Sequence, residues 1–304
     1  MTNRWWTYQK ERFPIMAHGP LVIVFCLAVM LFSSLQQGEE WPEMTRIIGA
    51  VISTLILFFQ LRVADEFKDF EIDSRYRPHR AVPRGLVSLP ELARLAFAGA
   101  GIQFVIAAYI DIGLVPILIG VWAYMGLMAR EFFVSAWLLR NPAVYLLSHM
   151  LVMPLIAFYV STFDWLCDCR DVPQGLAWLL LLSFCCGLVL ELGRKIKLPA
   201  AERTGVETYS GLWGSRLAVI VWSASIALSV FAYAMAATHM SPGVLFLIPA
   251  AIAMTVGLGT AMWFPRSGPA SGRADGNKNL IEPTSGLVAL LLYFGLGPLQ
   301  ALLG

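Results

Sequence analysis

Nine runs of apolar residues, each about 20 long, recur along the chain at 18–36, 46–64, 92–111, 113–129, 142–161, 175–191, 216–236, 243–264 and 285–303. A helix rising about 1.5 Å per residue needs about that length to cross the hydrocarbon core of a bilayer. In lipid the backbone must satisfy its own hydrogen bonds, so a helix is the natural conformation for such a run. Composition agrees: 58% of the 304 residues are hydrophobic and 14% charged, with a mean hydropathy of +0.68. A soluble domain carries about 25% charged residues. The apolar excess cannot be buried in one globule, which excludes an ordinary water-soluble enzyme. The first run does not read as a cleaved signal peptide, because Trp5, Trp6, Tyr8 and Phe13 precede it and no small-residue cleavage site follows. The expectation is an all-α integral membrane protein with nine transmembrane helices, in one domain over residues 1–304.

Alternating the loops between two sides separates the charges. The N-terminus and the loops near 65–91, 130–141, 192–215 and 266–284 share one side. Of the 22 Lys and Arg residues, all but Arg46 and Arg170 fall there, counting those at helix ends. The opposite loops carry Glu39, Glu40, Glu43, Asp111, Asp164, Asp168 and Asp171. The positive-inside rule makes the basic side cytoplasmic, with the N-terminus inside and the C-terminus outside. The net charge of +2 carries no nucleic-acid signal, and no nucleic-acid partner is expected. Cys26, Cys185 and Cys186 lie in apolar runs and read as packing residues. Cys167 and Cys169 read as a local disulfide or free thiols, since no His or further Cys completes a metal-ligand set beside them.

The chemistry is concentrated where the second run passes, as one helix, into Leu61 to Asp73. Residues 65 to 73 contain five carboxylates. Glu66, Asp69 and Asp73 fall at i, i+3 and i+7 on one helical face, and Asp65 lies beside Asp69 at i+4. Like charges repel there, at a helix end whose dipole favours cations. A hard divalent cation relieves both problems and can bridge carboxylates to substrate phosphates. The plainer alternative is a solvated helix end that stops the span at the membrane surface. Downstream lies Ser74 to Gly85, a loop stiffened by Pro78 and Pro83 that carries Arg75, Arg77, Arg80 and Arg84. Carboxylates beside such a loop suit a diphosphate held by metal on one side and guanidinium groups on the other.

A second segment, Glu191 to Ser210, leaves the sixth run on the same side. Like the first, it puts charge on a helix end, then a proline, then a glycine. A pseudo-repeat is therefore expected, 1–140 with the first motif and 141–304 with the second. Glu191 can pair with Arg194 and Lys195 at i+3 and i+4. Alternatively, Arg194, Lys195 and Lys197 form a cationic phosphate site.

At these residues the chain resembles the UbiA superfamily of intramembrane prenyltransferases. Asp65-Glu66-x-x-Asp69-x-x-x-Asp73 resembles the family's N-D-x-x-D-x-x-x-D motif, with Asp for Asn and Glu for the first Asp. Arg77-Pro78-His79-Arg80-Ala81-Val82-Pro83-Arg84-Gly85 resembles its K-P-x-R-P-x-P-x-G loop. The second motif departs: Glu191, Arg194, Lys195, Ile196, Glu202, Gly205, Thr208 and Gly214 stand where the family has an Asp-rich segment and its glycines. Lys195 and Leu198 occupy positions of expected metal-binding Asp residues.

The resemblance implies nine transmembrane helices around a central cavity open to lipid and capped by cytoplasmic loops. It implies an isoprenoid lipid substrate, Mg²⁺ (or Mn²⁺) as cofactor, and prenyl transfer from a prenyl diphosphate to an acceptor. Asp65, Asp69 and Asp73 become the catalytic carboxylates. Glu66, Asp69 and Asp73 become metal ligands, with Glu191 and Glu202 as further candidates. Arg62, Arg77, Arg80, Arg84, Arg194, Lys195 and Lys197 become diphosphate-binding residues. The site would face the cytoplasm from an inner or plasma membrane. A related alternative is phosphoribosyl or glycosyl transfer onto a polyprenyl phosphate, which the cationic second motif suits. A cation transporter is the more distant alternative. The polar groups within the runs are few (Arg62, His149, Gln60, Gln103 and Gln300), whereas a coupled transporter usually places charge near the midplane.

Overall fold

The computed structural model describes residues 3–38, 41–202, 205–240, 244–264 and 279–303. Glu39, Glu40 and most of the loop expected at 266–284 lie outside the described residues. Every regular element among the described residues is helical. The helices are α1 (Arg4–Arg12), α2 (Ile15–Gln36), α3 (Met44–Lys68), α4 (Phe70–Tyr76), α5 (Leu89–Ile110), α6 (Leu114–Ala129), α7 (Ser135–Arg140), α8 (Pro142–Met150) and α9 (Val152–Thr162). They continue as α10 (Leu176–Lys195), α11 (Tyr209–Trp213), α12 (Ser215–Ala237), α13 (Leu247–Trp263), α14 (Ile281–Leu296) and α15 (Pro298–Leu303).

Among the described residues, six helical stretches are long and apolar enough to cross a membrane: Ile15–Gln36, Met44–Lys68, Leu89–Ile110, Pro142–Thr162, Leu176–Lys195 and Ser215–Ala237. The runs expected at 113–129, 243–264 and 285–303 form shorter apolar helices, α6, α13 and α14, of 16, 17 and 16 residues. The last is also displaced: α14 begins at Ile281, and the chain breaks at Gly297 before Pro298 starts α15. Pro142–Thr162 is divided at Leu151 into α8 and α9. Pro154 accounts for this break, since it has no N–H and its ring crowds the carbonyl four residues back.

Two compact units make up the chain. The first comprises Met1–Cys26 and Pro42–Val172, the second Leu27–Trp41 and Pro173–Gly304. In the first, α3 packs on α5, and α6 packs on α5 and α9. Buried amides tie these helices together. Gln103 Nε2 donates to the Ser53 carbonyl at 2.9 Å, and Gln103 Oε1 accepts from Gln60 at 3.0 Å and Trp122 at 3.3 Å. Such bonds are a helix pair's way of satisfying polar groups out of water. His149 Nδ1 meets the Tyr145 carbonyl of its own helix at 2.8 Å. In the second unit, α10 packs on α12 and α14, and α13 packs on both of those. Gly193 lets α10 approach α14: a Cβ there would come within 2.0 Å of Ser285 Oγ.

Candidate functional site

The acidic motif lies in the first unit and does not form the unbroken helix its spacing suggests. α3 stops at Lys68, Asp69 adopts φ −85° and ψ −2°, and α4 carries Asp73 onward. The bend sorts the carboxylates. The side chains of Glu66 and Asp73 are 1% and 2% exposed, Asp65 is 49% exposed, and Asp69 is half-buried.

Burying an ionised carboxylate is costly unless a charge partner is brought with it. Here the partners are arginines. Arg12 Nε lies 2.5 Å from Glu66 Oε1, and Arg12 Nη2 lies 3.6 Å from Asp73 Oδ2. Arg62 donates to Glu66 at 3.2 Å and lies 3.6 Å from Asp65. Arg80 donates to Asp73 Oδ2 at 2.5 Å, and Arg77 lies 3.4 Å from Asp73 Oδ1. Four guanidinium groups thus meet two buried carboxylates, a cationic surplus that favours an anion. Arg12 Nη2 and Arg77 Nε are buried donors without a hydrogen-bond partner among the described residues, as is the acceptor Asp73 Oδ1.

Packing explains how the proline-rich loop holds its arginines. Ala81, Val82 and Val87 turn inward to join Tyr8, Val63 and Leu92 in one apolar cluster. Gly85, at φ +77°, supplies the left-handed turn that brings the chain back to α5. There Ser88 N–H and Oγ both donate to Glu91 at 2.9 Å, closing the helix start. Arg84 does not join the carboxylates. It pairs with Glu11 of α1 at 2.8 Å and donates to the His79 carbonyl at 2.8 Å.

Lys68, inside the motif, serves a different place. It pairs with Glu131 at 2.7 Å, hydrogen-bonds Tyr145 and lies 4.4 Å from that ring's centre. Ala64, Phe67, Lys68, Ala129, Arg130 and Glu131 line a cavity of about 590 Å³. Its wall includes a turn in which Glu131, Phe132 and Phe133 have φ of 49°, 52° and 60°. Three successive non-glycine residues in the left-handed region store strain of the kind found at functional sites.

The second segment lies in the second unit. Glu191 accepts from Arg194 at 2.7 Å and pairs with Lys195 at 2.9 Å, the i+3 and i+4 contacts its spacing allows. Lys195 also sits 5.6 Å from the centre of the Tyr209 ring, and Lys197 reaches Glu282 at 3.1 Å. Glu202 accepts from Thr208 at 2.6 Å and Ser210 at 2.5 Å, while Thr208 caps α11 through Gly211 N–H at 3.0 Å. Glu202 therefore braces the start of α11.

Among the described residues no three His, Cys, Asp or Glu side chains converge to hold an ion. Magnesium does not require that many, since it is often held by one or two carboxylates plus substrate phosphates. Asp65 and Asp69, at i and i+4 across the last turn of α3, fit such an ion with hard oxygen donors. Glu66 and Asp73, as arranged, face guanidinium groups, and Arg62 also lies 3.6 Å from Asp65.

Sequence reasoning passed over Arg12, Tyr8, Glu131 and Tyr145. The signal for Arg12 was a cation just ahead of Pro14 and the first run, which is easily absorbed into the general excess of basic residues on that side.

No family model matches the sequence, and no curated protein matches it. Solved structures do share its fold. A UbiA homologue from Aeropyrum pernix K1, in its apo form, superposes with a TM-score of 0.68 at 16% identity, covering 91% of this chain and 96% of that one. A digeranylgeranylglyceryl phosphate synthase gives 0.59 at 15% identity, over 96% and 98% of the two chains. A UbiA homologue from Archaeoglobus fulgidus bound to GPP and Mg²⁺ gives 0.60 at 10% identity, over 95% and 97%. The chain has the fold of these proteins.

Proposed function

From that shared fold we propose that the chain is a UbiA-type intramembrane prenyltransferase, with nine spans, a cytoplasmic N-terminus and Mg²⁺ (or Mn²⁺) as cofactor. The observation that carries this reading is the cationic surplus at the acidic motif, where Arg12, Arg62, Arg77 and Arg80 crowd two buried carboxylates. A surplus of oriented guanidinium groups is what a leaving diphosphate needs as the allylic C–O bond breaks and both its electrons go to oxygen. Arg77 and Arg80 hold the diphosphate, and Asp73 fixes their orientation. Asp65 and Asp69 would hold the divalent ion, which would neutralise phosphate charge. The acceptor then attacks the cationic allylic carbon. The A. fulgidus homologue with GPP and Mg²⁺ supports this ligand chemistry. The active site faces the cytoplasm from an inner or plasma membrane, within reach of isoprenoid lipid substrates.

A second reading, phosphoribosyl or glycosyl transfer onto a polyprenyl phosphate, draws on the cations Arg194, Lys195 and Lys197 in the second unit. Mass spectrometry of lipid co-purified with the protein separates the two. A prenyl diphosphate supports prenyl transfer, a polyprenyl monophosphate supports the second reading, and bulk phospholipid alone counts against both. Diphosphate release from added prenyl diphosphate, lost in Arg77→Ala and Arg80→Ala, would complete the case for the first.

A further inference from the structure

α1 reaches the acidic motif from 54 residues upstream, and its last residue lies against two of the motif's carboxylates. The Arg12 side chain is 8% exposed and its guanidinium touches both buried carboxylates, Glu66 at 2.5 Å and Asp73 at 3.6 Å. We propose that Arg12 is a built-in cation that takes the place of a divalent ion at Glu66 and Asp73.

Three features carry the inference. The first is exclusivity. A guanidinium stays protonated, so its fixed positive charge against both carboxylates repels a second cation and does the neutralising that a metal would otherwise supply. The second is anchorage. Asn3 Oδ1 accepts from Trp5 N–H at 3.0 Å at the start of α1, and Tyr8 is buried in the cluster with Val63, Ala81 and Val82. Arg4 pairs with Glu91 at 2.7 Å, Glu11 pairs with Arg84 at 2.8 Å, and Phe13 packs edge-on against Phe59. With contacts on both sides of it, Arg12 is held in place, and its displacement by an ion would bury an unpaired guanidinium or undock α1. The third is the leftover donor. Arg12 Nη2, 3.6 Å from Asp73 Oδ2, has no hydrogen-bond partner among the described residues, so one donor of the guanidinium stays available beside that carboxylate.

The proposal deepens the metal-binding part of the proposed function, and its test needs neither substrate nor turnover. Wild type and Arg12 variants in lipid nanodiscs are titrated with Mn²⁺, and bound ions per chain are read by electron paramagnetic resonance. Arg12→Ala and Arg12→Gln are expected to bind one more Mn²⁺ than wild type, because Glu66 and Asp73 are freed. Arg12→Lys keeps a cation in place and should match wild type. Adding Glu66→Gln to Arg12→Ala should remove the extra ion. The difference between variant and wild type decides the matter, whatever the absolute number. Equal binding in wild type and Arg12→Gln, both monodisperse with unchanged melting, overturns the proposal. If Arg12→Ala does not fold, Arg12→Gln and Arg12→Lys carry the comparison. Loss of the prenyl-transfer reading would leave this count intact, so the two failures are distinguishable.

Discussion

Gly193 lies beside the cationic residues of the second segment, and the spacing of two helices depends on it. A methyl group at this position would sit 2.0 Å from Ser285 Oγ and 2.8 Å from Ser285 Cβ. Ser285 cannot yield cheaply. Its Oγ accepts the indole N–H of the fully buried Trp222 at 2.9 Å and donates to the Ile281 carbonyl at 2.8 Å. Gly193→Ala therefore forces α10 and α14 apart or drives the hydroxyl off Trp222. Overpacking costs about 1–3 kcal/mol. An indole N–H left buried and unpaired adds about 1–3 kcal/mol. The expected loss is about 2–6 kcal/mol, the sum of both. Ser285→Gly removes both clashing atoms but not the need of Trp222 for an acceptor. The double variant should thus recover the packing share and retain the hydrogen-bond share. The cysteines give a direct assay, because Cys26, Cys185 and Cys186 are buried free thiols. A thiol-reactive fluorogenic dye in detergent reports their exposure during thermal unfolding. If Gly193→Ala melts with wild type, or the double variant melts no later than Gly193→Ala, the close approach of α10 to Ser285 is not as described.

Four further outcomes are expected. Asp69→Asn should abolish metal-dependent turnover while leaving melting near wild type, since a half-buried residue at a helix bend contributes little to the core; full activity would refute the metal role. Lys195→Ala should raise the apparent KM for the phosphorylated substrate about tenfold, roughly 1.4 kcal/mol, whereas an unchanged KM would refute a phosphate contact at Lys195. An impermeant thiol reagent applied to intact cells at pH 8 should label Cys169 and spare Cys167, whose thiol is half-buried and pushed up to about 11 by burial; labelling only in inverted vesicles would reverse the proposed orientation. The Arg46 hydrogen bonds hold the Asp168 carboxyl below its usual range. Its contribution to stability is therefore full above the unfolded value of about 4 and is lost as pH falls through the lower folded value. Asp168→Asn should lower melting at neutral pH and flatten the acid side of the pH profile; parallel profiles would refute this.

The helices were legible because apolar length is a one-dimensional property, read along the chain. Their ends were less so. Asp69 breaks α3 from α4 with no glycine or proline to mark the place, and Gly297-Pro298 cuts the last run where apolarity alone continues. The identity of the acidic motif was also legible, since five carboxylates in nine residues stand out against an apolar background. What each carboxylate faces was not. Periodicity put Glu66, Asp69 and Asp73 on one face, but the bend at Asp69 and the docking of α1 decide that Glu66 and Asp73 are buried against arginines. Arg12 is 54 residues from Glu66, a distance over which no spacing rule operates.

The charge segregation that suggested an orientation mixes two kinds of arginine, and the structure separates them. Arg12, Arg62, Arg77 and Arg80 lie on the basic side because the buried carboxylates hold them there, so their position follows from the site and carries no independent information about topology. Arg4, Lys10, Arg75, Arg94, Arg130, Arg140 and Arg216 are exposed and are the cations a charge bias acts upon. The two exceptions have a local cause of their own. Arg46 grips Asp168 with two bonds of 2.7 Å, and Arg170 lies 3.3 Å from the same carboxylate. Arg46 also lies 3.3 Å from Glu43, so two carboxylates balance these two arginines on the acidic side. With the site arginines and these two set aside, every exposed cation named here still falls on one side. The proposed orientation therefore rests mainly on exposed charges outside the acidic motif, although Arg4 among them pairs with Glu91.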